Sequence, residues 1–144
     1  MLVQQILKSK ASAVIIMIKP GASVEDAASL LSNHRIGSVV VSSDGKTADG
    51  ILSERDIVRE LGKRGAICMS DKVDDIMTKK LTTCQCNDTA DDVLAKMTEG
   101  RFRHMPVLKD GEMVGLITLG DVVKSRLTEL AMENEALEGM IMGH

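Results

Sequence analysis

The sequence has almost no aromatic residues, with one Phe and neither Tyr nor Trp among 144 residues. Proteins that bind single-stranded nucleic acid stack its bases on aromatic side chains, and nucleic-acid binders in general are basic. Here 18 Lys and Arg face 21 Asp and Glu, so the formal net charge is −3. The composition therefore argues against nucleic acid as a partner.

Long apolar runs and a full set of paired cysteines are also missing. No run approaches the roughly 18–20 apolar residues of a membrane-spanning helix, and residues 1–10 lack the order of a signal peptide. Three Cys do not complete a disulfide framework, and a reducing compartment keeps such thiols free. We therefore expect a cytoplasmic protein with no membrane segment.

The chain contains an internal repeat. Residues 23–27, Ser-Val-Glu-Asp-Ala, lie 66 positions before residues 89–93, Thr-Ala-Asp-Asp-Val. After a hairpin loop, where length changes are tolerated, the offset drops to 65, so that Gly50 matches Gly115. Each copy is too small to form a comfortable core alone. We expect the two copies to pack on each other.

Each copy predicts the order β-α-β-β-α. Apolar β-branched runs predict the strands, Ser23 and Thr89 are typical helix N-caps, and an Asp-Gly pair predicts each hairpin turn. The predicted strands are 14–18, 38–42, 49–53, 81–84, 104–108 and 113–118; the predicted helices are 3–9, 24 onwards, 54–63, 73–77, 90–99 and 119 onwards.

Three regions follow from this pattern. Residues 1–64 form the first repeat with a short N-terminal helix, residues 65–79 a linker, and residues 80–144 the second repeat with an extended C-terminal helix. The extension either contacts a partner or folds back on its own domain, and propensity does not decide between them. Its apolar residues are Leu127, Leu130, Ala131, Leu137, Met140 and Ile141.

One motif recurs where a strand ends and a helix begins: Gly50-Ile-Leu-Ser-Glu-Arg-Asp56 and Gly115-Leu-Ile-Thr-Leu-Gly-Asp121. A helix N-terminus attracts phosphate, a hydroxyl there donates to a phosphate oxygen, and a carboxylate accepts from ribose hydroxyls. The glycines allow close approach to the strand. Ser-x-x-Asp is also a capping box, but its recurrence after both hairpins favours a ligand site as well.

This tandem order, with Gly-h-h-Ser/Thr-x-x-Asp at each second helix, resembles a pair of CBS (cystathionine-β-synthase) domains over about residues 2–130. Segments 51–58, 76–78 and 101–107 resemble bacterial members. The resemblance implies an α/β fold in which two repeats pack as a pseudo-twofold pair. It also implies two clefts that bind AMP, ADP, ATP, NAD(H) or S-adenosylmethionine, and pairing of two chains into a homodimer.

The resemblance also implies roles for individual residues. In the family the motif Asp holds the ribose, the Ser or Thr holds phosphate, and apolar residues of the middle strand sandwich the adenine. One cleft would use Asp121 and Thr118, with Met105 and Pro106 near the base; the other would use Asp56 and Ser53, with Val39 and Val40 near the base. Further predicted binding residues are Thr83, Arg103, His104, Gly120, Ile36, Gly37, Ser38 and Arg55.

The second copy shows the clearer signs of an anionic ligand. Arg101, Arg103 and His104 precede its middle strand, and an Arg side chain binds phosphate through two parallel hydrogen bonds. A solvated basic loop is the alternative. The first copy has Ile36-Gly37-Ser38 there and no equivalent of Pro106, so whether both clefts take the same ligand stays open.

The expected function is a nucleotide-binding regulatory sensor. A ligand that prefers one packing of the repeats or subunits shifts that equilibrium, and the signal passes to a separate effector protein. The alternatives are a ligand-free dimerisation scaffold and a redox sensor that uses Cys84 and Cys86. No acid, base and nucleophile arrangement is present, and the Cys and His are too scattered for a metal site, so neither catalysis nor a metal cofactor is expected.

Overall fold

The computed structural model describes residues 1–10 and 14–141 of the chain. These residues form six α-helices and two three-stranded sheets. Residues 142–144, the end of the predicted third region, and residues 11–13 lie outside the described part of the chain. The elements are α1 (Val3–Ser9), β1 (Met17–Ile18), α2 (Val24–His34), β2 (Ser38–Val41), β3 (Gly50–Ser53), α3 (Glu54–Arg64), a 3-10 helix (Gly65–Ser70), α4 (Val73–Ile76), β4 (Cys84–Gln85), α5 (Ala90–Gly100), β5 (His104–Lys109), β6 (Glu112–Thr118) and α6 (Leu119–Ile141).

The repeated β-α-β-β-α order is confirmed. The sheets run β1-β2-β3 and β4-β5-β6, with β1 parallel to β2 and β4 parallel to β5. The first strand of each copy is only two residues long, shorter than the apolar run predicts. Each of these strands lies at a sheet edge and pairs with one neighbour, and only its two residues keep the register with the last part of the middle strand.

The two hairpins differ in their turns. Asp110 and Gly111 both have positive φ, 53° and 80°, as a two-residue type I′ turn requires. The loop from β2 to β3 is longer, and Asp44 organises it by accepting hydrogen bonds from the Lys46 and Thr47 N–H groups, each at 2.8 Å. These bonds lower the pKa of Asp44 to about 2. The shift from 66 to 65 in the repeat offset falls in this loop.

The chain divides into two compact units that do not follow the linear repeats. Unit 1 comprises residues 1–10, 83–108 and 115–141, and unit 2 comprises residues 14–82 and 109–114. The N-terminal helix, which the sequence groups with the first repeat, therefore packs with the second. The boundaries 1–64, 65–79 and 80–144 describe the order along the chain and stay a prediction.

Backbone hydrogen bonds attach α1 within unit 1. Val3 N donates to Asp88 O at 2.9 Å, and Ala90 N donates to Met1 O at 2.9 Å. Val3 and Ile6 are buried in the core of this unit. Two buried apolar side chains one turn apart are enough to dock a short helix whose intrinsic stability is low.

The segment before the second repeat attaches to unit 2 in the same way. Val73 N donates to Ala22 O, and Val24 N donates to Asp71 O, both at 2.8 Å. Val73, at the start of α4, is fully buried in the core of unit 2. Thus α1, predicted as part of the first repeat, packs with the second, and α4, which lies in the predicted linker, packs with the first.

Candidate functional site

The first motif forms the junction between β3 and α3 in unit 2. Ser53 N donates to Asp56 Oδ2 at 3.0 Å, and Asp56 N donates to Ser53 Oγ at 3.3 Å. Glu54 N, the first helical N–H, donates to Gly37 O at 2.9 Å. The start of α3 is thereby attached to the loop that precedes the middle strand.

The second motif repeats this geometry between β6 and α6 in unit 1. Thr118 N donates to Asp121 Oδ2 at 2.9 Å, and Asp121 N donates to Thr118 Oγ1 at 3.1 Å. Leu119 N donates to Arg103 O at 2.8 Å, which corresponds to the bond from Glu54 to Gly37. Both motifs are therefore capping boxes, as their spacing predicts.

Burial distinguishes the two motif carboxylates from the other caps. Asp26 and Asp92 occupy the corresponding positions after the N-caps Ser23 and Thr89 of α2 and α5, and both are exposed. Asp56, by contrast, is only 6% exposed, and the side chain of Asp121 is 21% exposed. A helix cap does not need a buried carboxylate, and burial of a charge is unfavourable unless it has partners.

A cation pairs with each motif carboxylate. Arg59 Nη2 lies 3.0 Å from Asp56 Oδ1, one turn along α3. Lys10, the residue after α1, places its Nζ 2.9 Å from Asp121 Oδ2 and donates to Leu116 O at 2.9 Å. Within the described chain, the contacts to Asp121 from Thr118 N and Lys10 Nζ both end on Oδ2, so Oδ1 is the oxygen that makes neither contact.

In the described chain, one N–H group in the first turn of each motif helix bonds to neither a loop carbonyl nor a cap hydroxyl. The first four N–H groups of a helix have no helical acceptor. Within the described chain, those of Glu54 and Leu119 are bonded to loop carbonyls, and those of Asp56 and Asp121 to hydroxyls. The N–H of Arg55 and that of Gly120 are the groups between them. Apart from the chain neighbours of Gly120 and the backbone of α6, Thr118 Oγ1 is the described atom within 4 Å of a Cβ built on Gly120, at 3.7 Å.

The residues that the sequence predicts near the adenine lie on both faces of the two middle strands, β2 and β5. Val39 belongs to the core of unit 2, and Met105 belongs to the core of unit 1. Val40 is fully buried and Pro106 is buried, but neither belongs to the core of its own unit. Because side chains alternate along a strand, Val40 and Pro106 lie on the face of their sheet opposite to Val39 and Met105. They are therefore the two predicted adenine contacts that do not pack in the core of their own unit.

Ser38 carries an unsatisfied polar atom beside the first motif. It is 4% exposed and pairs with Ser53 across β2 and β3. Its Oγ is buried and has no hydrogen-bond partner among the described residues. Buried hydroxyls are nearly always hydrogen-bonded in native structures, so Ser38 Oγ is a candidate contact of this site.

The remaining predicted residues surround these junctions. Ile36 is half-buried against the core of unit 2, and Thr83 is half-buried just before β4. Arg55 and Arg103 are exposed, and His104 is half-buried at the start of β5. The Arg103 carbonyl accepts a hydrogen bond from Leu119 N at the start of α6, whereas the Arg103 side chain is exposed to solvent.

The glycine that begins each of the two motifs is required for packing. A Cβ on Gly50 would lie 2.4 Å from Met77 Sδ, and a Cβ on Gly115 would lie 2.8 Å from both Leu7 methyl carbons. The close approach that the sequence predicts is therefore to the segments that precede the repeats. Lys10 and Arg59 were not among the predicted site residues. Only Arg59 has a local signal, because it lies three residues after Asp56 on a helix.

The three thiols differ in burial. Burial, followed by the charge of Asp88, raises the pKa of the Cys84 thiol to about 11, and reactive thiols need a lowered pKa. Cys68 is buried and Cys86 half-buried. Within residues 1–10 and 14–141, no three His, Cys, Asp or Glu side chains form a group that could hold a metal ion, and no helix is long and apolar enough to cross a membrane.

Comparison with known families agrees with this geometry. Residues 7–63 and residues 73–128 each match the CBS domain, so each match contains one of the two motifs. The chain belongs to the CBS-domain family. The two matches account for both β-α-β-β-α copies, and the predicted family is confirmed.

Three relatives show how far this similarity extends. The CBS-domain protein ATU1752 of Agrobacterium tumefaciens is 39% identical, with a TM-score of 0.84 over 88% of this chain and 99% of that one. The CBS pair of MJ0100, solved with 5′-methylthioadenosine and S-adenosyl-L-methionine, is 28% identical, with a TM-score of 0.74 over 89% and 99%. Mitochondrial CBSX3 of Arabidopsis thaliana is 36% identical over 84% of this chain, which spans only 61% of CBSX3.

Proposed function

We propose that this CBS pair binds an adenosine-containing ligand at its two motifs and acts as a regulatory sensor rather than a catalyst. AMP is the first ligand to test, followed by ADP, ATP and NAD(H). The observation that carries the proposal is the pair of motif carboxylates, Asp56 buried and Asp121 half-buried, each at the N-terminus of a helix and each with a cation for a partner. The adenosine ligands bound by MJ0100 support the same ligand class.

Each motif offers the groups that a nucleotide needs. Asp121 Oδ1 would accept a ribose hydroxyl, and the Gly120 N–H and the Thr118 hydroxyl would donate to phosphate, an arrangement favoured by the positive end of α6. Asp56, Ser53 and the Arg55 N–H would act in the same way at α3. Ser38 Oγ gives the first motif one further buried donor.

Regulation would follow from unequal affinity for two packings of the repeats or of two chains. A ligand shifts such an equilibrium only by its difference in affinity for the two states. We propose that the chain acts in the cytoplasm as a homodimer that passes this change to a separate effector protein. A ligand-free dimerisation scaffold is the second candidate.

Calorimetric titration of AMP, ATP and NADH into the parent, Asp121→Asn and Asp56→Asn separates these functions. Asn keeps the size and capping ability of Asp but removes the charge. A hydrogen bond to a charged group contributes about 1.5–3 kcal/mol, so affinity should fall about 10- to 100-fold at the mutated motif.

The matched control is Asp92→Asn, which changes an exposed cap of the same type on α5. It should leave the affinity within about twofold of the parent, since Asp92 is no part of the proposed site. Equal weakening in all three variants would show a general effect on the fold. No binding of any nucleotide to the parent would favour the scaffold.

A further inference from the structure

The charge of the second motif is balanced by a lysine from a distant segment of the chain. Lys10 follows α1, and its Nζ lies 2.9 Å from Asp121 Oδ2 and donates a hydrogen bond to Leu116 O at 2.9 Å. The Lys10 side chain is 25% exposed and that of Asp121 is 21% exposed. Lysine side chains usually keep the charged group in water, so a lysine that two acceptors hold in a half-buried position is part of the structure of the motif.

The first motif has a different arrangement at the corresponding atoms. The repeat offset of 65 matches Ile51 with Leu116, and Ile51 O accepts a hydrogen bond from the backbone N–H of Thr78 at 2.9 Å. Asp56 pairs through Oδ1 with Arg59, which lies on the same helix and is 50% exposed. The cation that pairs with the first motif thus comes from its own helix, whereas that of the second comes from the end of α1.

The loops that precede the middle strands also differ in charge. Leu119 N, at the start of α6, donates to Arg103 O, and Glu54 N, at the start of α3, donates to Gly37 O. Arg103 and Gly37 therefore occupy equivalent places beside the two helix N-termini, but only Arg103 carries a charged side chain, which is exposed. An anion at the N-terminus of α6 would lie within one side-chain length of the Arg103 backbone, and a guanidinium binds phosphate through paired hydrogen bonds.

These contacts give the two motifs different charges. At the second motif the Lys10–Asp121 pair is neutral, the two residues between the hydroxyl and the carboxylate are uncharged, and Arg103 adds a positive charge. At the first motif the Asp56–Arg59 pair is neutral, and the two residues between the hydroxyl and the carboxylate are an acid and a base. Together with the positive end of α6, the second motif suits a phosphate better than the first.

We propose that the second motif selects phosphorylated adenosine compounds over the unphosphorylated nucleoside, and that Lys10 sets this selectivity. The selectivity rests on the nucleotide binding proposed above and adds a ligand class and a residue to it. A ribose bound by Asp121 places its phosphate one sugar away from the carboxylate, and Lys10 cancels the repulsion between them. The same ammonium occupies a lone pair of Oδ2, so it disfavours a ligand that brings hydroxyls but no phosphate.

Calorimetric titration of AMP and of adenosine tests the role of Lys10. The reference protein is Asp56→Asn, which weakens the first motif so that the second is measured. Removal of the ammonium affects the two ligands in opposite directions, so Lys10→Met should lower the ratio of adenosine Kd to AMP Kd by about tenfold or more. Lys10→Arg keeps the positive charge and should keep this ratio within about threefold of the reference.

Lys8→Met is the matched control. Lys8 is exposed on α1, two residues before Lys10, and its loss changes the net charge of the chain by the same amount. Solvent and salt screen an exposed charge outside the site, so the ratio should change by less than about twofold. Equal changes in Lys8→Met and Lys10→Met would show a general effect of charge and would overturn the role of Lys10.

The fold should survive these substitutions, because Val3 and Ile6 supply the buried contacts of α1. Circular dichroism and the urea midpoint would verify this. An unchanged ratio in Lys10→Met, or a lowered ratio in Lys10→Arg, would overturn the selectivity and leave nucleotide binding in place. Binding by the parent that disappears in Asp56→Asn would assign the ligand to the first motif and also overturn it. A parent that binds neither AMP nor adenosine would refute the proposed nucleotide function, and the selectivity with it.

Discussion

Substitution of Gly115 by Ala tests the packing of the N-terminal helix on the second repeat. The new Cβ would lie 2.8 Å from both Leu7 Cδ atoms and 3.4 Å from Cγ. Both branches of Leu7 collide, and its side chain packs against the core of unit 1, so the contact is relieved only if Leu7 gives up part of that packing. Such overpacking costs about 1–3 kcal/mol, while the loss of unfolded-chain entropy returns about 0.4–1 kcal/mol.

We therefore expect Gly115→Ala to lower the free energy of unfolding by about 1–2 kcal/mol in urea denaturation. Gly62→Ala is the matched control, because no described atom beyond its chain neighbours and the backbone of α3 itself lies within 4 Å of a Cβ at this position. It should raise stability by about 0.5–1 kcal/mol. Combining Gly115→Ala with Leu7→Ala should give a loss well below the sum of the two. Parent-like stability of Gly115→Ala, or strict additivity, would refute the reasoning.

Three further predictions concern charge and thiol chemistry. Lys10→Met should tighten binding of uncharged adenosine at the second motif about three- to tenfold in calorimetry, because it frees a lone pair on Asp121 Oδ2; unchanged or weaker binding would contradict this. The N-terminal ammonium lowers the pKa of Glu129 through a hydrogen bond, so this contact should stabilise the fold above pH 4.5 and be lost as pH falls through the lowered pKa. An NMR titration should show that shift and its disappearance on N-terminal acetylation. Cys84 should react with a thiol reagent at pH 8 far more slowly than Cys86 in single-Cys variants, and equal rates would count against the burial of its thiol.

Local patterns predicted most of the secondary structure. The four caps at Ser23, Ser53, Thr89 and Thr118 all form the N-terminal hydrogen bond to the residue three positions on. These interactions lie within one helical turn, so residue type and spacing are sufficient to predict them. The Asp110-Gly111 turn is predictable for the same reason.

The candidate site was predictable only in part. Its motif residues lie next to one another along the chain, and the structure holds them in the expected geometry. Strand alternation places Val40 and Val39 on opposite faces of one sheet, and Pro106 and Met105 on opposite faces of the other. Which face carries the core, and so which residue of each pair packs in it, is known only from the structure. The unsatisfied hydroxyl of Ser38 has no signal in the sequence, because burial depends on what surrounds it.

The sequence by itself determined the repeat, the element order, the caps and the strand–helix motifs, since each depends on periodicity or on neighbours a few residues apart. Only the tertiary structure decided that α1 packs with the second repeat and that Lys10 reaches Asp121 and the carbonyl of Leu116, which lies 106 residues away. Contacts between such distant residues arise from the competition of whole surfaces for burial, and no local pattern encodes their outcome.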